Sequence, residues 1–102
     1  TYTRGVELLQ KRKYAKALYI LNDYNDRNTV VAHLSMGHDE RALELLDAMP
    51  KDAVTEYLRA IACSRLERKE EGREHFLQAC RLDSRMEYRA NLDPEITELL
   101  KR

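Results

Sequence analysis

Residues 57–83 read YLRAIACSRLERKEEGREHFLQACRLD, and this stretch holds two apolar runs separated by a charged segment. The first run consists of Tyr57, Leu58, Ile61, Ala62 and Leu66. The second run consists of Phe76, Leu77, Ala79, Cys80 and Leu82. Apolar residues three and four positions apart lie on one face of an α-helix. The stretch therefore predicts two antiparallel helices joined by a turn near residues 68–70.

Similar helical periodicity continues on both sides of this hairpin. Towards the N-terminus it predicts two further helix pairs, at about residues 1–25 and 28–50. The hairpin quoted above then spans about residues 52–83 and is the third pair along the chain. A last helix is predicted within residues 93–102. Glycine occurs three times and proline twice, which leaves few breaks for a many-stranded sheet. The predicted fold class is all-α.

Helix ends are marked by specific residues along the chain. Gly37 suits the left-handed conformation that follows a helix, and Pro50 stops the helix before it. Side chains that accept hydrogen bonds from a first helical turn predict N-caps at Asn28 or Thr29, at Asp52 and at Asp93. Pro94 after Asp93 fits the first helical position, where its missing N–H costs nothing.

Size and charge restrict the class of protein. A chain of 102 residues has room for one small domain, which we predict to span residues 1–102, and this excludes a multidomain enzyme. Lysine plus arginine and aspartate plus glutamate number 18 each, so no excess of positive charge indicates a nucleic-acid partner. Charged residues interrupt every apolar run, so no membrane span of ~20 residues is expected. We therefore expect no direct membrane insertion by this segment. The chain starts within a helical pattern, and we expect it to be a fragment of a larger protein.

Superposition of the helix pairs indicates a repeat. In the first pair the relevant positions are Gly5, Leu8, Tyr14, Ala17 and Leu21. In the second pair they are His33, Gly37, Asp39, Ala42 and Leu46. In the third pair they are Ala60, Gly72, Phe76 and Ala79. Their spacing resembles the signature of the tetratricopeptide repeat, a family of paired helices. The resemblance covers residues 1–83, and the end of the chain is similar to the capping helix of such arrays.

The small residues Ala17, Ala42 and Gly72 occupy the positions at which paired helices cross at close range. They lie closer together along the chain than the 34 residues of the family repeat. The resemblance implies a right-handed α-α superhelix of three short, irregular hairpins plus a C-terminal cap helix.

The resemblance also implies a function, because the first helix of each pair in such arrays lines a concave groove that binds a protein or peptide. The predicted partner-binding groove residues are Tyr2, Val6, Gln10, Tyr57, Ile61 and Arg65. Tyr2 and Tyr57 are predicted as aromatic anchors and Gln10 and Arg65 as polar selectors, since tyrosine and arginine are common at binding hot spots. We therefore expect a non-enzymatic scaffold module whose partner is a protein or peptide, with no nucleic acid involved.

A structural alternative remains open. The C-terminal helix can instead fold into the groove, in which case the apolar groove residues only pack beneath it and the chain is a spacer between domains. The ending RANLDPEI, residues 89–96, is similar to repeat regions of bacterial cell-envelope proteins. That resemblance implies a periplasmic or cell-envelope location for the larger protein.

Candidate catalytic and metal-binding residues are few. His33 is interpreted as a core or boundary histidine and His38 as part of a solvated turn. Glu71 and His75 are one helical turn apart, but a structural zinc needs four ligands, so no metal site is predicted. Cys63 and Cys80 lie among apolar residues and are predicted to be two free thiols. No catalytic residue and no cofactor is predicted.

Overall fold

The computed structural model describes residues 1–101, and within this range it contains eight α-helices and no strand. The helices are α1 (Tyr2–Gln10), α2 (Tyr14–Leu21), α3 (Arg27–Ser35), α4 (Asp39–Asp47), α5 (Ala53–Arg65), α6 (Lys69–Leu82), α7 (Met86–Asn91) and α8 (Pro94–Leu100). The predicted all-α class is confirmed. Each predicted hairpin range contains two helices.

The chain forms two compact units, which are described separately. The first unit, Thr1–Ala48, contains α1 to α4, and the second unit, from Met49 onward, contains α5 to α8. The predictions of one domain over residues 1–102 and of a superhelix stay predictions.

In the first unit, α1 and α2 pack around a first core of three buried residues, Leu8, Ala17 and Leu21. Gly5 lies at this crossing, where an added Cβ would come within 2.8 Å of a Leu21 methyl group. The buried hydroxyl of Thr29 donates to the Leu21 carbonyl at 2.8 Å and so ties the start of α3 to the end of α2. The absence of a side chain at Gly5 therefore allows Leu21 of α2 to lie close to the α1 backbone.

The N-cap of α3 differs from the sequence prediction. The capping residue is Asp26, whose carboxylate accepts the Thr29 N–H at 3.1 Å, and neither Asn28 nor Thr29 is the cap. Thr29 completes a capping box, because its hydroxyl accepts the Asp26 N–H at 3.3 Å. The helix therefore begins two residues earlier than a cap at Asn28 would allow.

In the second unit, α5 packs against α6 and α8 around a second core. Its buried residues are Tyr57, Ala60, Phe76, Ala79, Met86, Ala90, Ile96 and Leu99. The predicted caps Asp52 and Asp93 are confirmed, with Pro94 in the first turn of α8. Helix α7 was not predicted, because only Met86 and Ala90 of its six residues are buried and two positions do not define a period.

The turns within the three hairpins α1–α2, α3–α4 and α5–α6 share one backbone geometry. The turn residues Arg12, Gly37 and Glu67 have positive φ values of 61°, 77° and 60°. In each turn the next residue donates its N–H to the carbonyl five positions earlier, from Lys13 to Leu8 at 2.9 Å, from His38 to His33 at 2.8 Å and from Arg68 to Cys63 at 2.8 Å. This bond belongs to the Schellman motif that ends many helices. Each hairpin therefore closes in the same way.

These turns give a test of backbone strain. Gly37→Ala is expected to lower the free energy of unfolding by ~1 kcal/mol, because a Cβ disfavours the left-handed conformation. No atom lies within 4 Å of the position that its Cβ would occupy, so steric overlap adds nothing. Glu67→Gly is expected to act in the opposite direction by relieving the same strain. Urea denaturation measures both; an unchanged Gly37→Ala variant would contradict the assigned conformation.

Candidate functional site

Tyr57, one of the predicted anchors, is 0% exposed and lies at the centre of the second core. Its hydroxyl donates to Asp93 Oδ2 at 2.8 Å. Its ring contacts the ring of Phe76 edge to face, with centroids 6.2 Å apart, and the Arg89 guanidinium lies 4.6 Å from its centroid. Burial, followed by the bond to Asp93, raises the pKa of the Tyr57 hydroxyl. The residue therefore acts as a neutral hydrogen-bond donor within its own unit.

Asp93 connects Tyr57 to the start of α8. Its other carboxylate oxygen, Oδ1, accepts the Glu95 N–H at 3.1 Å and so caps the helix. One carboxylate thus serves both the cap of α8 and the buried phenol of α5. The position of α8 on α5 is fixed by this shared acceptor.

Two further predicted groove residues, Arg65 and Ile61, also have partners within the second unit. Arg65 donates from Nε and Nη2 to the Glu95 carboxylate, with a shortest distance of 2.9 Å. Ile61 is half-buried and packs against the second core. Near the other end of α8, Arg73 donates to the Leu99 carbonyl at 3.0 Å. The structure therefore places Tyr57 and Arg65 in contact with the start of α8, whereas Ile61 packs against the second core.

The other three predicted groove residues lie on α1 in the first unit. The Tyr2 hydroxyl donates to Asp26 Oδ2 and accepts from Asn28 Nδ2 at 2.6 Å. Val6 is partly buried and packs against the first core, whereas Gln10 is exposed. Tyr2 and Val6 thus have partners within their own unit. A single groove formed by all six residues stays a prediction.

A buried ionic network in the second unit was missed by the sequence analysis. Glu56 and Arg59 are only 2% and 1% exposed, and the Arg59 guanidinium donates to Glu56 Oε1. The same guanidinium donates to the Met49 carbonyl at 3.1 Å, and His75 Nδ1 lies 2.8 Å from Glu56 Oε2. The available signal was that Glu56 and Arg59, of opposite charge and three positions apart, interrupt the otherwise apolar run of α5.

A second cluster joins the two histidines of the α3–α4 turn. His33 is buried, as predicted, and its Nδ1 lies 3.1 Å from Nδ1 of His38. Its Nε2 lies 3.1 Å from the side-chain oxygen of Asn22. His38 is exposed, yet the interpretation of a purely solvated turn is incomplete because its ring contacts His33. Burial, then His38 and Arg41, lower the pKa of His33.

The two cysteines are the remaining candidate reactive groups. Cys63 and Cys80 are both free thiols, which confirms the prediction, and burial raises the pKa of Cys80 with a smaller effect from Glu87. Within residues 1–101 no three His, Cys, Asp or Glu side chains are grouped to hold a metal ion. None of the helices described above is both long enough and apolar enough to cross a membrane.

Comparison with known proteins gave no match to a protein-family model, a curated protein or a solved structure.

Proposed function

We propose that the chain is a non-enzymatic structural module of the tetratricopeptide-repeat type, in which the C-terminal helix α8 fills the groove face of α5. This is the spacer alternative from the sequence analysis. The observation that carries it is the bond from the buried Tyr57 hydroxyl to Asp93, the N-cap of α8. A residue predicted to anchor a partner is instead a packing residue of its own unit.

The contacts of α8 support a permanent position on α5. Ile96 and Leu99 are 0% and 1% exposed. Burial of one such side chain contributes about 1.5–3 kcal/mol. The carboxylates of Asp93 and Glu95 add bonds to Tyr57 and Arg65. A partner that bound this face of α5 would have to replace all of these contacts, so a structural role is favoured there.

The second candidate function is partner binding by α1 in the first unit. The exposed Gln10 side chain, one helical turn from the partly exposed Val6, favours it. The variant Gln10→Ala distinguishes this candidate from the spacer, because Gln10 is exposed and its removal changes no buried contact. A partner captured by the parent chain and by Glu44→Ala, but not by Gln10→Ala, would support this candidate over the spacer.

Native-state hydrogen exchange tests the spacer proposal. We expect the α8 amides from Thr97 onward, which donate helical bonds, to be protected within about tenfold of the α5 amides, because both helices share the second core. Tyr57→Phe removes only the hydroxyl and is expected to accelerate exchange in α8 more than in α5.

Fast exchange of α8 would contradict the spacer proposal. Exchange of the α8 amides more than 100-fold faster than that of α5 would mean that α8 opens separately and leaves the face of α5 available. The spacer proposal would then be replaced by groove binding. Arg4→Ala, in the first unit, is the control and should leave both rates in the second unit unchanged.

A further inference from the structure

The turn between α3 and α4 places two imidazoles side by side. His33 lies in the last turn of α3 and His38 immediately precedes α4, and the N–H of His38 donates to the His33 carbonyl at 2.8 Å. The two Nδ1 atoms are 3.1 Å apart. The other two hairpins have the same turn, but there the corresponding pairs are Leu8 with Lys13 and Cys63 with Arg68. Only this hairpin combines the turn geometry with two metal-binding side chains.

Asn22 determines which nitrogen of His33 carries the proton. Its side-chain oxygen, 3.1 Å from Nε2, can only accept a hydrogen bond. The proton is therefore on Nε2, and Nδ1 presents its lone pair to His38. Histidine ligands of metals commonly donate their second ring nitrogen to an oxygen in this way, which fixes the tautomer and the ring orientation.

The charges around the ring also bear on a bound cation. The positive charge of Arg41 acts on His33 and would act on an ion bound there. The Arg41 guanidinium is itself paired with Glu44 at 3.0 Å, which reduces its repulsion of a cation.

We propose that His33 and His38 form a two-imidazole site for a divalent transition-metal ion, with Asn22 as the positioning residue. Metal–nitrogen distances of ~2.0–2.1 Å place two neighbouring ligand nitrogens about 3.0–3.4 Å apart. Without the ion, His38 donates its Nδ1 proton to His33. When the ion enters, this proton moves through water to Nε2 of His38, and the exposed His38 ring turns so that both lone pairs point to the ion.

Ligand chemistry defines the class of ion. Imidazole favours zinc, nickel and copper over magnesium and calcium. Because no third His, Cys, Asp or Glu joins the pair in the described part of the chain, water completes the coordination. The site is thus open to solvent on the side of His38 and binds more weakly than a four-ligand structural zinc site. This inference does not depend on the proposed spacer function.

Titration of the whole chain with Zn²⁺ tests the site, using ¹⁵N NMR of the imidazole nitrogens and the melting temperature. We expect saturable shifts of both Nδ1 resonances and a rise in melting temperature, neither of which Mg²⁺ produces. His38→Ala should abolish both effects, and because His38 is exposed, this variant should fold. Asn22→Ala should weaken Zn²⁺ binding by about 10–100-fold.

The controls separate this site from other ligands in the chain. His75→Ala and Cys80→Ser should bind Zn²⁺ like the parent. The proposal is overturned if His38→Ala retains the Nδ1 shift of His33, if either control loses the response, or if Zn²⁺ leaves both histidine rings unchanged.

Discussion

Glu56→Ala is expected to lower the free energy of unfolding of the second unit by ~3–5 kcal/mol, the usual cost of removing one partner of a buried ion pair. The Arg59 guanidinium would stay buried without the carboxylate that it contacts, and His75 would lose its acceptor. Urea denaturation followed by circular dichroism measures the change. The midpoint should fall at an unchanged slope if the unit still unfolds in one step.

The chain contains a matched control for this variant. Arg41 and Glu44 form an ion pair with the same three-residue spacing, but their side chains are 51% and 68% exposed. Glu44→Ala should therefore cost well under ~1 kcal/mol, as is usual for surface pairs. The double variant Glu56→Met, Arg59→Met should recover much of the loss, since apolar residues of similar size often replace buried ion pairs. Equal effects of Glu56→Ala and Glu44→Ala would contradict the assigned burial.

Tyr57→Ala is expected to lower the free energy of unfolding by ~3–5 kcal/mol. It removes a fully buried aromatic ring from the core that α5, α6 and α8 share. Tyr57→Phe keeps the ring and removes only the bond to Asp93, so its expected cost is about 0.5–1.5 kcal/mol. Thermal melts of the two variants beside the parent separate packing from hydrogen bonding. If Tyr57→Ala melted like the parent, the ring would be outside the core and available to a partner.

The helices were predictable from the sequence because their cause is local. Each helix depends on signals within a few positions of it. These are the periodic apolar residues, the left-handed turn at Gly37 and the caps Asp52 and Asp93. The cap at Asp26 was missed because three neighbouring side chains can each cap a helix, and only the three-dimensional bonds select one. Helix α7 was missed because it is too short to show a period.

The candidate site depends on contacts between residues far apart in the chain, and these could not be derived from local patterns. Tyr57 has the spacing of a groove residue, but its burial follows from α8, which begins more than 30 positions later. Likewise, the partner of Glu56 on α6 is His75, which the sequence pairs with Glu71 instead. The contact between His33 and His38 could be predicted only with the geometry of the Gly37 turn, which places the two rings side by side.

The bond between Tyr57 and Asp93 spans 36 residues, and this separation has a consequence for biosynthesis. A ribosome adds about 5–20 residues per second, so Asp93 is joined to the nascent chain about 2–7 s after Tyr57. The α5–α6 hairpin is complete only once Leu82 has been added, and Ile96 follows 14 residues later, after about 1–3 s. For those seconds the apolar surface that later receives Ile96 and Leu99 is uncovered, which makes it the part of the nascent second unit most open to chaperones or to misassociation.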